Sequence, residues 1–202
     1  MNAPKAPPRL LFMVGPPAVG KMTVGHEIAR RTGLRLFHNH QSIDLVLRFF
    51  EFGTPPFLRL VGEFRRRVFE EVAQSDLPGL IFTYVWAFDD PKDAEYVEQC
   101  AEIFRKLGGE VSFVELESSQ SERLRRNETE FRLAEKPSKR DVELSRRRLL
   151  DADTRFQLNS KGVYDHRSDY FRLDTTQLSA VETAEKIIGR FKLPTATETR
   201  KD

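Results

Sequence analysis

Short apolar runs alternate along this chain with longer stretches whose apolar residues return every three or four positions. Runs at 10–14, 34–37, 80–86, 111–117 and 170–174 have strand length, and continuous ones such as LLFMV and LIFTYVW suit parallel strands buried on both faces. Helical spacing fills the intervals. Val24, Ile28 and Ala29 share one face of 21–32, with Gly33 as a stop. Leu45, Val46, Leu47, Phe49 and Phe50 make an apolar-rich helix after HNHQSID. Phe57, Leu60, Val61, Phe64, Val68 and Val72 mark a long amphipathic helix whose other face shows Arg59, Arg65, Arg66 and Arg67. Asp90-Pro91 caps a helix lined by Val97, Cys100, Ala101, Phe104 and Leu107. Ser179 and Glu182 stand in capping-box spacing before a last helix that buries Val181, Ala184, Ile188 and Phe191. Five strands alternating with helices predict an α/β fold of three layers: a five-stranded parallel sheet, helices on both faces and right-handed crossovers.

The first run changes the picture, because it stops at Gly15, bends through Pro16 and Pro17, and opens a helix near Gly20. Glycines at those two positions let the backbone turn so that successive N–H groups converge on one anion. Lys21 adds a full charge, expected as a solvated group aimed at phosphate, and the helix N-terminus adds roughly half a charge. Gly15, Pro16, Pro17, Ala18, Val19, Gly20, Lys21, Met22 and Thr23 thus read as a phosphate-binding loop. The strict motif places Ser or Thr straight after the lysine to meet Mg²⁺, whereas here Met22 intervenes and Thr23 follows.

At 202 residues, with no repeat or long low-complexity linker, one domain is expected over 1–193 and a flexible tail over 194–202. A formal net charge of +2 provides no global field for nucleic acid or a membrane, so neither is expected as a partner. Cys100 is the only cysteine, which precludes an intrachain disulfide and fits a reducing compartment. No stretch has signal-peptide or membrane-spanning character, so a cytoplasmic protein, monomer or homodimer, is expected.

GPPAVGKMT resembles the loop of adenylate kinases, and the order of parts resembles small-molecule P-loop kinases: adenylate, gluconate and shikimate kinases, chloramphenicol phosphotransferase and the zeta-toxin group. The resemblance spans nearly the whole chain. It implies a P-loop NTPase fold, ATP and Mg²⁺ as cofactors, Thr23 at the α-phosphate with the metal held largely by water and phosphates, and a helical lid at about 123–140. Asp174, Thr175 and Thr176 of DTTQLS resemble the segment that passes near adenine. Phe64-Arg65 matches the Phe-Arg of shikimate kinases whose arginine holds a substrate carboxylate. The acceptor edge departs from those enzymes, with His38-Asn39-His40 in place of Asp-x-Asp after strand two and TYVW in place of a Gly-Gly-Gly turn after strand three.

Ligands of open α/β sheets lie beyond the carboxyl ends of the strands, which puts His38, Asn39, His40, Gln41 and Asp44 where a phosphoryl acceptor would sit, with Thr83, Tyr84 and Asp89 offered to the same edge. His40 or Asp44 is the expected base toward a small-molecule hydroxyl, the histidine being near neutral poise without help. Phosphoryl transfer depends on positioning and charge neutralisation, so the lid cations Arg123, Arg126, Arg132 and Lys136 are the expected catalytic elements. The expected activity is transfer of the γ-phosphate of ATP to an alcohol; the alternative is a nucleotide-binding ATPase or switch without such an acceptor, which Met22 favours.

Overall fold

The computed structural model describes residues 6–195; the tail expected over 194–202 lies outside them from position 196 onward. The strands are β1 (Arg9–Val14), β2 (Arg35–His38), β3 (Leu80–Thr83), β4 (Glu110–Glu117) and β5 (Tyr170–Asp174). They form one sheet, parallel throughout, in the order β2-β3-β1-β4-β5. The helices are α1 (Lys21–Thr32), α2 (His40–Val46), α3 (Pro55–Gln74), α4 (Pro91–Arg105), α5 (Gln120–Asn127), α6 (Glu130–Glu135), α7 (Val142–Arg155) and α8 (Ala180–Phe191), with a short 3-10 helix at Pro137–Lys139.

Successive side chains of a strand point to opposite faces, and β1 divides the core accordingly. Leu10, Phe12 and Val14 pack with Phe69 and Val72 of α3 and Val97 and Phe104 of α4. Leu11 and Met13 pack with Val24 and Ile28 of α1 and Ala184 and Ile187 of α8. Burial on both faces explains the uninterrupted apolar run. The capping box of α8 is present as its spacing predicts, although Val181 is exposed and Ile187 takes the buried place.

Three expected elements differ. β3 ends at Thr83, three residues short, because the chain leaves the sheet to build an aromatic cluster: Tyr84 donates to Asp93 (2.7 Å), and Trp86 stacks on Phe88 and Tyr164. The second helix starts at His40 and stops at Val46, leaving Phe49 exposed. On α3 the buried stripe runs through Phe57, Val61, Arg65, Phe69 and Val72, so Leu60 and Phe64 are exposed while Arg65 is buried. Arg65 tolerates this because its guanidinium donates to Ser42 Oγ (2.8 Å) and Asn39 O (3.2 Å) and lies over the Phe82 ring.

One buried carboxylate pins the segment before β5. Glu115 of β4 is fully buried and accepts from Ser160 N (2.7 Å), Ser160 Oγ (2.5 Å), Asn159 Nδ2 (2.9 Å) and Tyr170 OH (2.6 Å). Glu115→Ala leaves those donors unmatched and is expected to lower unfolding free energy by about 3 kcal/mol. Urea denaturation measures it, and a loss below about 1 kcal/mol would show that these donors find other partners.

Candidate active site

Beyond Val14 the chain turns back on itself through left-handed backbone at Gly15 (φ 129°), Ala18 (φ 63°) and Gly20 (φ 111°), then enters α1 at Lys21. At Gly15 a Cβ would meet Leu116 O at 2.3 Å, so only glycine fits between the loop and β4. Lys21 is buried at 8% exposure, a correction to the solvated position expected for it. Its Nζ donates to Gly15 O (2.5 Å) and Pro16 O (2.8 Å). Burial, and after it the charges of Lys136, Arg132 and Arg123, hold its pKa well below the ordinary lysine value. A group so placed gains from any anion that enters.

A cavity of about 600 Å³ opens on this loop, within the range of small-molecule sites. Its walls are residues 18–24, the lid residues Arg125, Arg126, Phe131, Arg132 and Lys136, and residues 175–180 after β5. Five cations therefore face it against one acid, Glu122, and Glu122 is already paired to Arg125 and Arg126. Met22 and Thr23 both line it, with Met22 buried and Thr23 exposed. Of the DTTQLS residues, Thr175 and Thr176 line it, while Asp174 accepts from Thr176 N and Oγ1 in a local turn.

The lid arginines divide by what they hold. Arg126 staples α5 to the loop and to the end of β5, donating to Val19 O (2.8 Å), Thr175 Oγ1 (3.1 Å) and Thr175 O (2.7 Å). Arg123 is buried against Asp153 (3.0 and 2.5 Å) and reaches Ser118 O, outside the cavity wall. Arg132 has a buried Nε without a hydrogen-bond partner among the described residues, and burial lowers its pKa to about 10. Lys136 is buried, and that burial, with Arg132 and Lys139 beside it, pushes its pKa down to about 7. Burial, then Arg132 and Arg148, takes Lys139 to about 8.

At the carboxyl end of β2 the structure gathers His38, Asn39, His40 and Asp44. Asn39 N donates to Thr83 Oγ1 (3.3 Å), and His40 Nδ1 lies 3.4 Å from Asp44 Oδ1. Residues 135–138 lie over this edge: Glu135 Oε2 is 3.8 Å from the Nε2 atoms of both His26 and His38, and Ser138 Oγ is 3.3 Å from His40 Nδ1. His40 is not near neutral poise, since burial takes it down to about 4 despite the Asp44 hydrogen bond. His38 is lowered to about 4 by burial and then Lys136. Burial opposes ionisation of Asp44, yet hydrogen bonds from His40 and Ser138 hold its carboxyl below the usual value. Tyr84 OH is given to Asp93, whereas Arg65 joins this group through its hydrogen bond to Asn39 O and also donates to Ser42 Oγ. Asp89 accepts from Gln157 N instead of reaching the edge.

The sequence reading did not single out Phe131, Glu135 or Ser138. An aromatic residue alone in a charged lid was a usable signal for Phe131, whereas Glu135 and Ser138 matter only through residues about a hundred positions away.

Among the described residues no group of three or more His, Cys, Asp or Glu could hold a metal ion. The donor set at the loop is one hydroxyl, Thr23, beside a thioether. That fits a Mg²⁺ carried by phosphate oxygens and water, the usual habit of this ion, with Thr23 as the protein's contribution.

No protein-family profile and no curated protein matches the chain. Solved structures do. Shikimate kinase from Acinetobacter baumannii, in complex with shikimate, is 18% identical with a TM-score of 0.56, over 98% of this chain and 97% of that one. APS kinase from Mycobacterium tuberculosis, in complex with AMPPNP and APS, is 12% identical with a TM-score of 0.56, over 92% and 98%. A gluconokinase from Sinorhizobium meliloti 1021 is 14% identical with a TM-score of 0.50, over 92% and 91%. The chain has the three-layer fold of P-loop small-molecule kinases, and among the described residues no helix is long and apolar enough to cross a membrane.

Proposed function

We propose that this protein is an ATP-dependent phosphotransferase that moves the γ-phosphate of ATP to a hydroxyl of a small molecule, with residues 123–140 as its lid. The observation that carries the reading is the cavity at the glycine loop, where Lys21, Arg125, Arg126, Arg132 and Lys136 converge and only Glu122 opposes them. Such a wall suits a polyphosphate and repels nothing about it. Lys21 and Arg132 neutralise the transferred phosphoryl group, Arg126 fixes the lid to the loop, and Asp44 with His40 orients the acceptor hydroxyl beside His38 and Asn39. Arg65 positions Asn39 through its carbonyl. Arg65 engages Ser42 through Nε and Asn39 through Nη2. Mg²⁺ supplies charge neutralisation at the phosphates. The experiment is ATP turnover across a panel of hydroxyl metabolites: a kinase consumes ATP much faster with its acceptor than alone, whereas unstimulated slow hydrolysis supports a nucleotide switch. Coverage of His40 and Asp44 by the lid is the feature that keeps the switch in view.

Two expected results arise here. Met22→Thr restores the hydroxyl of the strict motif, so it is expected to keep the fold and to lower the Mg²⁺ concentration for half-maximal turnover by about tenfold. An unchanged metal titration would show that position 22 does not face the ion. The second concerns pH. A bound polyphosphate favours charged Lys136, raising a pKa that stands at about 7 in the empty cavity. Affinity is therefore fully expressed below that value and falls as pH rises above it, until the raised pKa is reached. At about pH 8, calorimetry in buffers of different ionisation heat is expected to show proton uptake on ATP binding, reduced by Lys136→Met. Binding without proton uptake would contradict it.

A further inference from the structure

The lid delivers a hydroxyl to the acceptor edge. Ser138 Oγ stands 3.3 Å from His40 Nδ1, and the same hydroxyl is among the groups that hold the Asp44 carboxyl below its usual value. His40 and Asp44 are themselves 3.4 Å apart. The pair of side chains suited to orienting an acceptor alcohol thus already has one beside His40, and it belongs to the chain.

Its surroundings suit a phosphoryl group. Lys136, two residues earlier, lines the nucleotide cavity and is the foremost charge acting on Lys21. At about 2 Å of rise per residue, the 3-10 helix keeps Ser138 close to that phosphate end. Lys139 follows directly, and its charge acts with Arg132 and faces Asp44. Lys136 and Lys139 make no ion pair within 4 Å among the described residues; Asp44 acts on both and Glu135 on Lys136, but burial and neighbouring cations outweigh them. Glu135 Oε2 meanwhile lies 3.8 Å from the Nε2 atoms of His26 and His38, which places the turn beside that edge.

Resting on the phosphotransferase reading above, we propose that Ser138 is an internal acceptor, phosphorylated at Oγ by the nucleoside triphosphate bound at the chain's own glycine loop. The bond between Ser138 Oγ and the γ-phosphorus forms as the bond from that phosphorus to the β,γ-bridging oxygen breaks. The nucleoside diphosphate leaves, and the hydroxyl proton passes to Asp44 and then to water. The phosphoserine dianion then meets Lys136, Lys139 and Arg132, three charge-assisted partners that hold the lid shut. An external acceptor competes with Ser138 for one seat, so a good acceptor suppresses the modification.

The full chain is incubated with γ-labelled ATP and Mg²⁺ without added acceptor, and ATP affinity is measured on the same preparation by calorimetry. The expected result is one phosphoryl group per chain, mapped to the Pro137–Lys139 segment, at a rate per molecule independent of protein concentration. Ser138→Ala is expected to bind ATP within about twofold of the parent and to lose labelling by at least about tenfold. Ser138→Thr keeps a hydroxyl in place and is expected to change the labelled amino acid from phosphoserine to phosphothreonine. ATP binding without label, or label that survives Ser138→Ala, overturns the internal-acceptor proposal and leaves the nucleotide reading standing. Failure to bind ATP overturns both.

Discussion

Lys21→Ala is expected to weaken ATP binding by well over tenfold, more than about 1.4 kcal/mol, without lowering the thermal unfolding midpoint. The two halves of this result have different causes. Lys21 is a buried amine facing Lys136, Arg132 and Arg123, and among the described residues its hydrogen bonds go to the carbonyls of Gly15 and Pro16. Removing it loses two hydrogen bonds and relieves desolvation and repulsion, so the stability change is small. With a triphosphate in the cavity the balance reverses, because the ammonium exchanges carbonyl partners for phosphate oxygens in a water-poor site where charge attraction is least screened. Calorimetry with ATP beside a melting curve of the empty protein measures both. Affinity retained within about twofold would remove the loop from the nucleotide site, and a midpoint lowered by several degrees would make Lys21 a structural residue instead.

What was legible in the sequence was whatever local chemistry decides. The run at 10–14 announced a strand buried on two faces, and Gly15, Gly20 and Lys21 announced the turn and its charge, because each requirement sits within one short segment. The caps at Asp90 and Ser179 were readable for the same reason. Arg65 was not. Helical spacing assigned it to a charged face, but its place in the 57-61-65-69 stripe is set by Ser42 and Asn39, partners brought by tertiary packing. β3 looked seven residues long because Tyr84, Val85 and Trp86 are as strand-like as Leu80, while an aromatic cluster with Tyr164 draws the chain out of the sheet.

The site shows the same division. The glycine loop lies in one short segment and was visible, whereas the arrangement of the arginines in 123–140 depends on which of them find partners. Arg123 and Arg126 look alike in the sequence, yet Asp153 claims the first and Val19 and Thr175 claim the second. The histidines show how burial overrides composition, since His40 starts from an ordinary value and is taken down to about 4 by its surroundings. In the proposed mechanism that shift moves the burden of orienting the acceptor toward Asp44, which stays ionised at neutral pH.

Arg132 and Asp44 therefore carry the result that separates a kinase from a switch. Arg132 lines the cavity and its buried Nε has no hydrogen-bond partner among the described residues, and in the proposed mechanism its guanidinium meets the charge that develops on the transferred group. A contact made mainly in the transition state shows in rate more than in affinity, and Arg132→Ala is expected to lower acceptor-dependent turnover by about a hundredfold with ATP affinity changed by less than about tenfold. Asp44→Asn keeps the shape of the edge but removes the carboxylate that lies 3.4 Å from His40 Nδ1. It is expected to slow transfer to a comparable degree and to spare ATP affinity, since Asp44 lies on α2, outside the nucleotide cavity. Arg126→Ala is the contrast: by releasing Val19 and Thr175 it is expected to weaken ATP binding and turnover together. The measurement is ATP affinity by calorimetry beside ADP release with the acceptor found in the metabolite panel. Turnover that survives in both Arg132→Ala and Asp44→Asn, or that falls only in proportion to lost ATP binding, would sink the transfer mechanism and leave a protein that reads nucleotide occupancy through the closure of its lid.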